Sequence, residues 1–190
     1  MKNAPTAAAG SDARAARASL VGKLRQLEDE LSRAQSALAA LGGEPMPGLH
    51  LVLEAAGRRA LLSIARVREI VRLVATTPLS GAPPQVLGTF VCRGAPVLAV
   101  DLAAVTGAER RPGLDAQIVV LAGSPAIGLV VDGVHSLVDG PRLYEGDVAA
   151  GTPDGWRGSR LVSGLCVHEG AVLPLLDPAP LAAALREFAP

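Results

Sequence analysis

The chain has 190 residues, enough for one ordinary globular domain and an additional element. Its 18 Lys and Arg balance its 18 Asp and Glu, so no net field draws it to nucleic acid or to an anionic membrane, and neither is expected as a partner. Hydrophobic residues make up 49% and aromatics only 2%, so the core must be built from Val, Leu, Ile and Ala.

Residues 1–12 are small, polar and without periodicity, and are expected to form a disordered tail. From Ala13 to Leu41 strong helix formers follow one another without proline. Apolar residues recur at Leu20, Leu24, Leu27, Leu31, Ala34, Leu38 and Leu41, alternating four and three apart. This places Leu24, Leu31 and Leu38 at heptad position a, and Leu20, Leu27, Ala34 and Leu41 at d. Such a stripe is narrower than that of a helix lying on a globular core. A coiled-coil helix that self-associates or docks on a partner helix is expected, with packing on its own domain as the alternative. Gly42, Gly43, Pro45 and Pro47 then end the helix and give a linker over 42–48.

The remaining residues, 49–190, contain a repeat. Gly88 to Asp101 and Gly164 to Asp177 both read as strand, Gly-containing turn and strand ending in Asp. Upstream, Leu61–Ile70 parallels Gly128–Leu137, and His50–Glu54 parallels Ile118–Leu121. Each half, about 49–110 and 115–190, thus offers some five short strands in the same order. The fold expected is mainly β: two small five-stranded β-barrels sharing a core, preceded by a long N-terminal α-helix. Short helices are expected at Ala103–Thr106 and Leu181–Phe188.

No catalytic or cofactor-binding constellation is visible, and neither an enzyme nor a cofactor is expected. His50, His135 and His168 read as strand or surface residues. Cys166 and His168 supply at most two of the four ligands of a structural zinc site. Gly123 to Gly128 has the glycine spacing of a phosphate loop without its lysine. Gly151–Gly158, with Trp156, reads as a plain surface turn, a binding loop being the alternative. Asp101 and Asp177 occupy equivalent strand ends, where turn formation or helix capping explains both. Two cysteines make no disulfide framework and fit a reducing compartment. Residues 1–19 lack the apolar region of a secretory signal, and the apolar stretch Ile118–Val131 is broken by Gly123, Ser124 and Pro125, so no membrane insertion is expected.

Four segments in order carry a resemblance. They are Ala60–Ile70 ending Val67-Arg68-Glu69-Ile70, the proline-containing Thr77–Pro84 leading to Val86-Leu87-Gly88, Cys92-Arg93-Gly94 followed by Pro96–Leu102, and Ile127–Val134. Over about Leu49 to Leu185 the chain resembles CheW, the coupling protein of bacterial chemosensory arrays. The resemblance implies two five-stranded barrels and a non-catalytic adaptor that couples chemoreceptors to a CheA-type histidine kinase. The implied partners are the kinase regulatory domain, bound barrel to barrel, and the cytoplasmic tip of a methyl-accepting chemoreceptor, lying in a groove between barrels. The implied location is cytoplasmic, at arrays on the inner face of the membrane. The partner-binding residues it implies are Val67, Glu69, Gly88, Arg93 and Gly94. Val91 and Cys92 stand where the family carries Asn and Leu, and the leucine heptad lies outside its minimal pattern. A coiled-coil scaffold that uses the β domain outside chemotaxis is the competing reading.

Overall fold

A computed structural model describes residues 7–40, 42–108 and 112–188. The first element, α1, is a helix over Ala7–Ala40. It begins six residues before the expected start, because Ala7 to Ala9 carry no helix breaker. Residues 1–6 of the expected tail, and Leu41 of the heptad, lie outside the described residues. The expected linker is not free: Gly42–Pro45 forms a strand, β1, antiparallel to β10 at Arg142–Tyr144.

Two sheets follow. The first runs β1-β10-β11-β12-β3-β2-β9, where β2 is Leu49–Ala55, β3 Arg58–Ser63, β9 Gly133–Asp139, β11 Val162–His168 and β12 Ala171–Leu176. The second runs β4-β7-β8-β6-β5, where β4 is Val67–Arg72, β5 Val86–Cys92, β6 Ala95–Asp101, β7 Gln117–Leu121 and β8 Ile127–Val131. The fold is mainly β as expected. The sheets hold seven and five strands rather than five each, and neither ladder closes into a ring, so they are curled sheets rather than closed barrels.

The two halves exchange hairpins. The β2–β3 hairpin of the first repeat joins the sheet of the second, with β3 parallel to β12 through Leu61 opposite Leu175. The β7–β8 hairpin of the second repeat joins the sheet of the first, with β8 parallel to β6 through Ile127 opposite Leu98. The repeat is therefore present in sequence, but neither half is a separate body.

This exchange explains the missing polar–apolar alternation. Leu51 and Leu53 of β2, Leu98 and Val100 of β6, Val119 and Leu121 of β7, and Ile127 and Leu129 of β8 meet in one core between the sheets. The intervening residues point the other way. Val97, Ile118, Val120 and Val130 fill the five-stranded sheet with Phe90, and Val52, Leu61, Cys166 and Leu173 fill the seven-stranded one. With period-2 side chains and both faces covered, every position must be apolar. Each Leu or Val so buried contributes about 1.5–3 kcal/mol over its exposed state.

Short elements seal the ends. Asp101 accepts a hydrogen bond from Ala103 N at 3.0 Å and caps α2, Leu102–Val105; Asp177 accepts one from Ala179 N at 3.1 Å at the start of α4, Ala179–Ala184. A 3-10 turn, Arg186–Phe188, follows α4. Asp101 thus caps α2, whereas Asp177, one residue before the N-cap Pro178, holds a turn and lies 3.7 Å from Arg66 Nη2. Between β10 and β11 lies α3, Val148–Gly151. The turn after it is no plain surface turn: Trp156 is buried in the core between the sheets. His50 is likewise buried, its Nδ1 3.0 Å from the Gly48 carbonyl oxygen.

Candidate functional site

The β5–β6 hairpin turns through Arg93 and Gly94, both at positive φ, +50° and +81°. Positive φ at both central residues is the type I′ pattern, whose twist matches the flanking strands. Two other hairpins do the same, at Ala56-Gly57 and at the repeat-equivalent Glu169-Gly170. Glycine meets this demand freely, whereas an arginine there is strained. A strained residue held by its surroundings is a pointer to function.

The strained side chain has a partner. Arg93 Nε donates to Glu69 Oε2 at 2.8 Å, although 24 residues separate them. Glu69 sits on β4, at a bulge where Val67 pairs with Leu121 and Glu69 with Val120. Such a bulge re-aims side chains. Alternation along β4 turns Val67, Glu69 and Val71 inward and Arg68, Ile70 and Arg72 outward. Only 15% of the Glu69 side chain is exposed, against 79% of Arg93. Arg68 Nε lies 3.3 Å from Oε1 without hydrogen-bond alignment, leaving that oxygen buried. The Arg93 hydrogen bond holds the Glu69 carboxyl below its usual range; partial burial opposes this, and the neighbouring Cys92 thiol and the Arg68 charge reinforce it.

The expected site residues are only partly assembled. Glu69, Arg93 and Gly94 come together at one end of the five-stranded sheet. Val67 leans on the core between the sheets. Gly88 is buried at a bulge in β5, with φ at +132°, and a Cβ there would strike the Thr77 carbonyl. The heptad residues Leu20, Leu24, Leu27 and Leu31 are exposed along α1; for Leu38 only the helical backbone is described.

Three neighbours of the pair were not among the expected site residues, Val91 and Cys92 having been noted only as departures from the family pattern. Val91 is 73% exposed and Ile70 is exposed beside Glu69, while Cys92 is buried against it. The signal available was phase: with Phe90 and Cys92 inside, period 2 sends Val91 out. A shallow cleft of about 220 Å³ lies between the β7–β8 turn and α4, edged by Arg66 and Arg186. Among the described residues no group of three or more His, Cys, Asp or Glu is placed to hold a metal ion. Nor, among them, is any helix long and apolar enough to cross a membrane.

The family described as the CheW-like domain matches residues 50–186, leaving α1 and β1 outside the match. The crystal structure of the scaffolding protein TtCheW from Thermoanaerobacter tengcongensis is similar in fold. Its TM-score is 0.58 over 70% of this chain and 86% of that one, at 24% identity. No curated protein matches the chain.

Proposed function

The chain belongs to the CheW-like domain family, and from that premise we propose that it is a non-catalytic adaptor coupling chemoreceptors to a CheA-type histidine kinase. The observation that carries the reading is the Arg93–Glu69 pair. An arginine is kept at a turn position that glycine fills at less cost, exposed at 79% and aimed by a nearly buried carboxylate. A guanidinium aimed by a carboxylate and left in solvent has the character of an interface anchor, and Val91 and Ile70 are exposed on the two strands that the pair joins. Partner contact is assigned to Glu69, Arg93 and Gly94. Val67, packed on the core between the sheets, and Gly88, against the Thr77 carbonyl, lie on the same two strands, β4 and β5.

The two partners are the regulatory domain of the kinase and the cytoplasmic tip of a methyl-accepting chemoreceptor. The receptor tip, a helical hairpin, is assigned to a groove that involves both sheets. The site of action is the cytoplasmic face of a receptor array.

The test is binding of the full chain to each partner fragment, repeated with Arg93→Ala. Binding of both fragments, with the variant weaker for at least one, supports the coupling role. Binding of neither overturns it. A second reading, a coiled-coil scaffold serving partners outside chemotaxis, is favoured by the exposed leucines of α1, and failure of both fragments would promote it.

A further inference from the structure

Leu20, Leu24, Leu27 and Leu31 are between 58% and 61% exposed, so the domain of the same chain does not cover them. They form one edge of a helix 34 residues long. We propose that this edge is the interface of a parallel two-stranded coiled coil between two copies of the chain.

Three observations select that occupant. The four leucines keep strict a and d spacing, which presents a narrow seam suited to one partner helix rather than a sheet surface. The flanking e and g positions are complementary between copies in the parallel arrangement. Lys23 at g meets Glu28 at e of the second copy, an attraction that forms twice in the dimer. Antiparallel pairing would keep an attraction, Lys23 against Glu30, but would set the apolar Val21 against the charged Glu28. Finally, two polar side chains away from the seam, Gln26 and Arg33, find partners within one helix. Gln26 Nε2 donates to Glu30 Oε1 at 3.0 Å, and Arg33 Nε donates to the Asp29 carbonyl at 3.2 Å. The leucine edge is left exposed along the helix.

The dimer does not depend on the adaptor reading. Where that reading also holds, each particle carries two Arg93–Glu69 surfaces. A second binding event on the same array then becomes intramolecular and gains effective concentration.

The experiment is the mass of the full-length chain by light scattering across micromolar concentrations, with four variants. The expected mass is twice the 19.3 kDa of one chain, falling to a single chain in Leu24→Ser/Leu31→Ser. Thermal unfolding of that double variant should keep the β-domain transition, which separates loss of pairing from loss of fold. Lys23→Glu should raise the dissociation constant by roughly tenfold, and Lys23→Glu/Glu28→Lys should restore it. Leu27→Cys, at d, should oxidise to a disulfide-linked dimer, whereas Cys92 and Cys166 are buried. A monomeric full chain, or a dimer that survives the double serine replacement, overturns the proposal. A dimer in which Leu27→Cys fails to cross-link overturns the parallel arrangement.

Discussion

Arg93 and Glu69 join the two edge strands of the five-stranded sheet: Nε of one donates to Oε2 of the other at 2.8 Å, linking the β5–β6 turn to β4. The segment after β4 makes a second tie, since Thr77 pairs with Thr89 of β5. The ladder is open, yet its edges are held by one bridge and one ion pair. Sheet edges left bare invite other strands; here a charged pair occupies the gap and leaves the guanidinium in solvent.

Replacing Arg93 should separate binding from folding. Arg93→Asn puts a residue that tolerates left-handed backbone into the turn. The unfolding midpoint is expected to stay within a few degrees of the parent, because relief of strain offsets loss of an exposed ion pair. Affinity for the partner that this surface contacts is expected to fall about tenfold or more. A large drop in melting temperature would assign Arg93 to the fold instead.

The pair also sets a pH window. The Glu69 pKa is lowered from 4.5, first by the Arg93 hydrogen bond. A carboxylate with a lowered folded value stabilises fully above its unfolded pKa, and the contribution is lost as pH falls through the folded value. Stability near neutral pH should therefore be flat, with the loss from this pair confined to below about pH 4.5. Carbon-detected NMR titration of the Glu69 carboxyl reads the folded value directly. An ordinary or raised value would mean that Arg93 does not hold the carboxylate in solution.

Two glycines at equivalent repeat positions should answer differently to the same change. At Gly88 a Cβ would collide with the Thr77 carbonyl, on a backbone at φ +132°. At Gly164 nothing lies within 4 Å. Gly88→Ala is expected to cost about 2–4 kcal/mol in chemical denaturation, combining strain and overpacking, and Gly164→Ala less than about 1 kcal/mol. Equal effects would mean that the Thr77 strap is not closed in solution.

The two strand-end aspartates should differ as well. Asp101 is buried and Asp177 is not. Asp177→Ala is expected to cost about 0.5–1 kcal/mol, the loss of one exposed side-chain-to-backbone hydrogen bond. Asp101→Ala should cost about 2 kcal/mol or more, since it strips a buried backbone N–H of its acceptor. Parity between them in urea unfolding would contradict the buried placement.

Much of this was legible in sequence because it is local. The Arg93-Gly94 turn, the duplicated hairpins, the cap at Asp101 and the turn at Asp177, and the helix without proline follow from residue types at short spacing. The family resemblance rested on the same segments and named Glu69 and Arg93 without placing them side by side. Trp156 was misread because a glycine-rich turn does not reveal what lies beneath it. Gly42–Pro45 was misread because glycine and proline disfavour strands except at an edge, where β1 lies.

What the sequence determined by itself was the inventory: a heptad helix, two copies of a five-strand pattern, and a core of aliphatic residues without catalytic clusters. What only the tertiary structure decided was partnership between distant segments. Both faces of β7 and β8 are apolar, so their composition cannot say which sheet they join or in which register. That choice came from burying all apolar faces at once, which the exchange of hairpins achieves through one core between the sheets and one within each. The same exchange carries β7 and β8 between β4 and β6, and the curl of that sheet brings Glu69 to Arg93.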